Sequence, residues 1–135
     1  MSRQRSKARR LAVQALYQWQ LAGQDPVDIV AQFAAEHTNK TVDFEYFSEL
    51  FQGVVGSLDE LDSHLRPQLD RAMLSVDPVE RAILRLATYE LLERLEVPYK
   101  VVINEAVELA KTFGAEQGHR YVNGVLDKTA KALNR

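Results

Sequence analysis

Apolar residues recur every three or four positions along most of the chain, which is the period of an α-helix. The longest such stripe consists of Phe44, Phe47, Phe51, Val54, Leu58, Leu61 and Leu65. It predicts one long core helix that ends or kinks at Pro67, because proline removes a backbone donor and clashes with the preceding turn. No segment alternates apolar and polar residues for long enough to predict a half-buried strand. The predicted fold class is therefore all-α.

Proline and glycine delimit the other helices. Asp25–Pro26 and Asp77–Pro78 each place an N-cap residue before a proline, which suits the first helical position. The predicted helices cover about residues 5–22, a short stretch from 26, the long stripe, a short segment at 68–74, a helix from 78, and about 99–114 and 116–132. The chain thus has six or seven helices.

The helix that follows Pro78 has two apolar stripes. Val79, Ala82, Ile83 and Leu86 form the first stripe, and Leu84, Leu91 and Leu95, flanked by Glu80, form the second. Either the helix is central and covered on two sides, which is the favoured interpretation, or one stripe awaits a partner protein. Glu90 lies within the first stripe, so its carboxylate needs a cationic, backbone or helix N-terminal partner.

Composition describes a single globular domain. The chain has 135 residues, of which 46% are hydrophobic and 27% charged, and it has no cysteine. A core can form at this length without disulfides. The lack of cysteine excludes thiol catalysis and cysteine-ligated zinc or iron–sulfur sites, and it fits a reducing compartment, so we expect a cytoplasmic protein. We expect no targeting segment and no membrane span.

Charge is concentrated at the amino terminus. The net charge is −2, but the first ten residues contain five cations, and the first acidic residue is Asp25. A cationic segment on an acidic body indicates a local site for a polyanion. The alternative is a solubilising helix end or a frayed terminus.

The two sides of the first helix differ in chemistry when drawn at about 100° per residue. Leu11, Ala15, Trp19 and Ala22 share the predicted core side, and Arg3, Lys7, Arg10, Gln14 and Tyr17 share the other. Cations can neutralise phosphates while a tyrosine ring stacks on an unpaired base, so this mixture is typical of single-stranded RNA binding. A half-buried surface tyrosine is the alternative. The last helix carries a weaker version of the pattern, with Gln117, Tyr121 and Lys128 on one flank and Arg120 nearby.

Enzyme signatures are absent from the sequence. There is no G-x-G-x-x-G, P-loop or G-x-S-x-G motif. Glu116 and His119 form one E-x-x-H motif, whereas di-iron bundles need two of these and two further glutamates. We therefore predict no catalytic residue, no metal site and no cofactor.

Longer stretches resemble a known family. The segments VPYKVVINEAVELAKTFGAE, YVNGVLDK, RRLAVQALYQWQ and ERAILRLATYEL are similar to the NusB family of bacterial transcription antitermination factors, and the similarity spans nearly the whole chain. The resemblance implies one all-helical domain over residues 1–135, built of two packed helical subdomains at about 1–75 and 76–135. It also implies that there is no catalytic activity.

The resemblance further implies partners. Family members pair with NusE, a small-subunit ribosomal protein, and bind the boxA element of nascent RNA. The resulting complex helps RNA polymerase to read through terminators, notably in ribosomal RNA operons. By position, the implied RNA-binding residues are Arg5, Lys7, Arg9, Arg10, Tyr17, Gln117 and Tyr121, to which the helix faces add Gln14 and Arg120. Gln117 and Tyr121 depart in chemistry from the Asp and Phe of family members.

A partner surface is implied on the helix after Pro78. Glu80 matches a glutamate implicated in the NusE contact and stands beside the second apolar stripe, so Glu80, Leu84 and Leu91 are the expected partner-binding residues. The competing hypothesis is a protein-interaction module, or a homodimer that buries this stripe, without direct RNA binding.

Overall fold

The computed structural model describes residues 2–37 and 41–135, and these ranges contain seven α-helices and no strand. The helices are α1 (Arg3–Ala22), α2 (Pro26–Glu36), α3 (Phe44–Gly56), α4 (Leu58–Leu65), α5 (Pro78–Glu93), α6 (Tyr99–Phe113) and α7 (Gly118–Ala132). Two 3₁₀ turns, Arg66–Gln68 and Met73–Ser75, connect α4 to α5. The all-α prediction is confirmed. None of the described helices combines the length and the apolar character that a membrane crossing needs.

The predicted helix starts at proline are confirmed, with their caps. The Asp25 carboxylate accepts a hydrogen bond from the Val27 backbone N–H at 2.9 Å. The Asp77 carboxylate accepts from Val79 N–H at 2.9 Å and Glu80 N–H at 3.2 Å. Each cap satisfies backbone donors that a first helical turn otherwise leaves without partners.

The prediction of a single long helix from the phenylalanine and leucine stripe is wrong in one respect. The chain leaves helical geometry at Ser57, where φ is −123°, and α4 begins at the next residue. The apolar spacing continues across the break, because Leu61 and Leu65 are buried beside the residues of α3. Pro67 lies in a 3₁₀ turn, and the short helix predicted for 68–74 is replaced by the two 3₁₀ turns.

α5 is the central helix, in contact with α1, α3, α4, α6 and α7. Within α5 both apolar stripes are therefore covered by the chain itself, whereas Leu95, which continues the second stripe beyond the helix, is 68% exposed. Leu84 is 0% exposed and Leu91 is 1% exposed. The expectation that Leu84 and Leu91 bind a partner, or form a dimer interface, is wrong because neither side chain reaches the surface. α5 also joins the two halves of the chain, and the subdomain boundary near residue 75 stays a prediction.

Candidate nucleic-acid interface

The polar side of α1 is exposed, as its helical phase predicts. Arg3, Arg10, Gln14 and Tyr17 are exposed and Lys7 is half-buried, with 39% of Tyr17 accessible. The ion pairs that α1 makes within the described ranges involve Arg5 and Arg9, and leave Arg3, Lys7 and Arg10 without a carboxylate. Three cations and an aromatic ring thus share one surface, which we call the cationic face.

Arg9 does not belong to the cationic face. It is 2% exposed, and its Nε and Nη2 donate to the two Glu90 oxygens at 2.8 and 2.9 Å. Its Nη1 donates to Glu105 Oε1 at 3.1 Å. The expectation that Arg9 contacts RNA is corrected on this ground, because its guanidinium is committed inside the protein. The prediction that Glu90 has a cationic, backbone or helix N-terminal partner is confirmed, and the partner is the cation Arg9.

Tyr46 and Ser6 complete a buried polar cluster around Arg9. The Tyr46 hydroxyl donates to Glu90 Oε2 at 2.5 Å, and the Ser6 hydroxyl donates to Glu105 Oε1 at 2.5 Å. Burial, together with the charge of Glu90, raises the pKa of Tyr46, so its phenol stays protonated at neutral pH. Sequence reasoning missed Tyr46 and Glu105, since no local spacing links residues so far apart in the chain.

Arg5 is neither committed inside the protein like Arg9 nor fully available like the residues of the cationic face. Its guanidinium lies 4.2 Å from the centre of the Tyr46 ring, and its Nη1 lies 3.9 Å from Glu96 Oε2. The helix around it starts with Ser2, whose hydroxyl accepts from the Arg5 backbone N–H at 3.2 Å. The amino-terminal cations are therefore part of an ordered helix, and Arg5 is only partly available to a ligand.

The start of α7 supplies a second group of polar residues. Gln117 is exposed and has a left-handed backbone (φ 71°), and its side chain makes no capping hydrogen bond. Arg120 is also exposed. The amide of Gln117 and the guanidinium of Arg120 are thus accessible, as the sequence predicts for a surface site.

Glu80 is packed against this same helix start. A Cβ added at Gly118 would lie 2.5 Å from Glu80 Oε2, so glycine is what lets the carboxylate reach the N-terminal end of α7. Glu80 is 7% exposed. Burial and the nearby charge of Asp77 raise its pKa, whereas the positive end of the α7 dipole favours the ionised form. Most of Glu80 is therefore covered by its own chain.

Tyr121 is less available than the sequence suggests. The guanidinium of Arg71 lies 4.5 Å from the centre of its ring and covers one face. Its hydroxyl is buried and makes no hydrogen bond of normal geometry to the described residues, although Asp70 is close enough to add to the effect of burial and raise the pKa of Tyr121. Sequence reasoning missed Arg71, an exposed guanidinium whose charge is paired with Asp70, since its Nε donates to Asp70 Oδ1 at 2.7 Å and its Nη2 donates to Asp70 Oδ2 at 3.1 Å.

The first turn of α5 lies between the two groups of residues. A cavity of about 490 Å³ opens beside Tyr17 and Gln14 and reaches Val79 at the start of α5. On the other side of that turn, Glu80 lies against the start of α7. The cationic face and the α7 residues therefore flank one common element and can contact a single extended ligand.

The groups that this surface exposes are suited to binding a polyanion. Within the described residues there is no cluster of three or more His, Asp or Glu side chains that could hold a metal ion. The buried carboxylates of Glu90 and Glu105 are both engaged by Arg9. What the site offers is positive charge, amide groups and one exposed aromatic ring.

Comparison with known proteins agrees with a binding protein of this all-helical class. A family model described as the NusB family matches residues 6–131. The transcription antitermination protein NusB of Shewanella amazonensis is 58% identical over 125 residues, which is 93% of each chain. That of Idiomarina loihiensis is 59% identical over 124 residues, covering 92% of this chain and 89% of the relative. The chain belongs to the NusB family.

Solved structures support the same assignment. A crystal structure of the antitermination factors NusB and NusE in complex with double-stranded RNA matches with a TM-score of 0.88 and 32% identity, over 98% of this chain and 99% of that one. NusB of T. maritima matches with a TM-score of 0.84 and 31% identity, over 97% and 93%. The family predicted from the sequence is confirmed, and with it the expectation that the protein is not an enzyme.

Proposed function

We propose that this protein is a transcription antitermination factor that binds a single-stranded, boxA-like RNA together with the ribosomal protein NusE. It acts in the cytoplasm, within an RNA polymerase complex that reads through terminators, notably in ribosomal RNA operons. The observation that carries the proposal is the cationic face, where Arg3, Lys7 and Arg10 have no carboxylate partner in the described part of the chain and lie beside the exposed ring of Tyr17.

The RNA backbone follows the cations while a base stacks on the ring. Lys7 and Arg10 meet phosphates, and the Gln14 amide is within reach of a base edge on the same face. The related complex holds double-stranded RNA. In this chain the exposed ring of Tyr17 favours a single strand, because stacking on a side chain requires an unpaired base.

The start of α7 extends the RNA site across the first turn of α5. Gln117 and Arg120 are exposed there, whereas the Arg71 guanidinium is paired with Asp70 and covers one face of Tyr121. One face of the Tyr121 ring packs against Arg71, so only the remaining edge of the ring is accessible to RNA. We assign the main stacking contact to Tyr17 for this reason.

NusE docks beside Glu80, close to the RNA. The related complex contains NusE. Glu80 makes no ion pair among residues 2–37 and 41–135, and it lies where α5 meets α7. A donor from the partner would satisfy this carboxylate. The test is Glu80→Gln, which removes the charge with little change in shape and should weaken NusE binding, whereas Glu93→Gln at the exposed end of α5 should not.

The RNA contact is tested by titration at several salt concentrations, with and without NusE. If Arg3, Lys7 and Arg10 each meet one phosphate, the logarithm of affinity should fall with the logarithm of salt with a slope of about −2, from about −0.7 per contact. Tyr17→Ala should weaken binding by about 1–3 kcal/mol. Tyr99→Ala is the matched control, because Tyr99 is exposed to a similar extent, 36%, on another helix. An RNA affinity that changes neither with salt concentration nor with Tyr17→Ala would contradict this RNA site. It would favour the alternative, which is a protein-interaction module.

A further inference from the structure

Arg81, in the first turn of α5, is a largely buried cation that makes no ion pair within the described residues, although the carboxylates of Asp62 and Asp77 are close enough to favour its charge. It is 7% exposed, and its Nε is buried without a hydrogen-bond partner among the described residues. One turn later Arg85 shows the opposite situation, since its Nε and Nη2 donate to Asp62 at 2.9 and 2.8 Å and its Nη1 donates to Gln20 at 2.8 Å. Because an unpaired buried charge is costly, a partner from outside the chain would stabilise Arg81.

Most of Arg81 is packed, and the remaining part borders open space. It lines a cavity of about 240 Å³ together with Trp19, Leu58 and Leu74. Leu74 stands at the rim and is 84% exposed. A second cavity, of about 500 Å³, shares Trp19 and Leu58 and continues to Glu60. We call the two cavities together the Trp19 groove.

We propose that the Trp19 groove binds an extended segment of a partner protein in which an Asp or Glu side chain stands next to an aliphatic or aromatic one. The carboxylate pairs with Arg81, whose planar guanidinium can hold both oxygens. The apolar neighbour packs on Leu74 and Trp19. Arginine and aromatic side chains are enriched at protein interfaces, which agrees with this composition.

An RNA strand does not fit the same groove. An RNA strand has a phosphate at every nucleotide, so some phosphates would lie in the second cavity beside Asp59 and Glu60 and be repelled, whereas the proposed segment needs only one carboxylate, placed in the first cavity at Arg81. The groove also lies on a different side of α1 from the cationic face, because Trp19 and Tyr17 are two residues and therefore about 200° apart around the helix. The proposed docking site is thus independent of the proposed RNA site.

The groove contains its own reporter, since Trp19 is the only tryptophan of the chain. The experiment follows tryptophan fluorescence of the full chain during titration with a capped peptide Ala-Leu-Glu-Leu-Ala and, as its control, Ala-Leu-Gln-Leu-Ala. We expect a saturable change in emission with the glutamate peptide and at least tenfold weaker binding of the glutamine peptide. Equal binding of the two peptides, or no binding of either, would overturn the proposal.

Arg81→Met and Leu74→Ser test the two proposed contacts, and Arg66→Met is the control. Arg81→Met should remove the preference for glutamate over glutamine, whereas Arg66→Met, which removes an exposed cation nearby, should keep it. Leu74→Ser should weaken both peptides by a similar factor. A ten-nucleotide RNA serves as the competing ligand, and a fluorescence change that depends on Arg81 with this RNA would contradict the assignment to a protein segment.

Thermal unfolding separates a binding role from a structural one. Arg81→Met removes an unpaired buried charge and keeps an unbranched side chain of similar reach, so the midpoint of unfolding of the free protein should stay unchanged or rise. A clear fall of the midpoint would mean that Arg81 serves the fold itself and would overturn the proposal.

Discussion

Arg9 and Arg10 are neighbours in the chain with the same side chain, and they serve opposite purposes. Arg9 is inside the protein, where it is bound to Glu90 and Glu105. Arg10 is exposed on the cationic face and has no carboxylate partner within the described residues. The difference comes from the helix, which turns about 100° between them. A count of cations therefore overestimates the charge available to RNA, and helical phase decides which cations count.

The contrast between Arg9 and Arg10 is tested first at Glu90, the carboxylate that binds Arg9. Glu90→Ala should lower the free energy of unfolding by about 3–5 kcal/mol, because it leaves a buried guanidinium without its main partner. Urea unfolding measures the change. Glu93→Ala, on the exposed end of the same helix, should change stability by no more than about 0.5 kcal/mol. Similar small losses for both variants would mean that the buried cluster does not stabilise the fold.

Tyr46 should have the next largest effect. Tyr46→Phe removes one hydrogen bond to a charged group and keeps the ring beneath Arg5, so we expect a loss of about 1.5–3 kcal/mol. Tyr89→Phe is the control, since the Tyr89 hydroxyl makes only a longer hydrogen bond of 3.3 Å. A larger loss at Tyr89 would contradict the central place given to Tyr46.

The stability of the protein at alkaline pH should also report on Tyr46. The pKa of Tyr46 is raised in the folded protein by burial and by Glu90, so the unfolded chain releases this proton first. Its contribution to stability is complete below the ordinary tyrosine pKa of about 10 and is lost as pH rises above it. Unfolding measured from pH 8 to 11 should show a decline that is smaller in Tyr46→Phe.

Arg10 should affect RNA and leave the fold unchanged. Arg10→Gln should weaken RNA binding about fivefold at about 0.1 M salt and reduce the salt slope by about 0.7, as expected for one lost phosphate contact. Its urea unfolding curve should match that of the unchanged protein. If Arg10→Gln destabilised the protein as strongly as a change at Arg9, the contrast between the two sides of α1 would fail.

Substitution of Arg5 should give the smallest effect, and that effect should be divided between stability and RNA binding. Arg5→Gln should lower stability by about 0.5–1 kcal/mol through loss of the cation–π contact with Tyr46. It should also weaken RNA binding less than Arg10→Gln does. An RNA effect larger than that of Arg10→Gln would mean that Arg5 leaves the Tyr46 ring to bind the ligand.

Local signals in the sequence predicted much of the fold. The caps at Asp25 and Asp77 depend on neighbouring residues only, and the structure confirms them. The exposed phase of Tyr17 and the need for a partner at Glu90 could also be read from helical spacing. These features share one property, which is that a single helix contains all the information.

The errors concern contacts between distant segments. Leu84 and Leu91 were expected at a partner surface, but spacing within α5 cannot reveal that five other helices cover it. Tyr46 and the stacking of Arg71 on Tyr121 were missed because the two partners of each contact lie far apart in the chain. The break at Ser57 escaped prediction since the apolar stripe continues with the same spacing on both sides of it.

The buried anchoring of Arg9 has a kinetic consequence. Because Arg9 is bound to Glu90 and Glu105, the first turns of α1 are held to the body of the protein, and in the proposed RNA site the neighbouring cations would meet the strand from a preformed surface. Association is then limited by diffusion and accelerated by attraction between opposite charges, as for other preformed sites. Differences in lifetime between cognate and unrelated RNA would arise from dissociation, after the strand has met the ring of Tyr17.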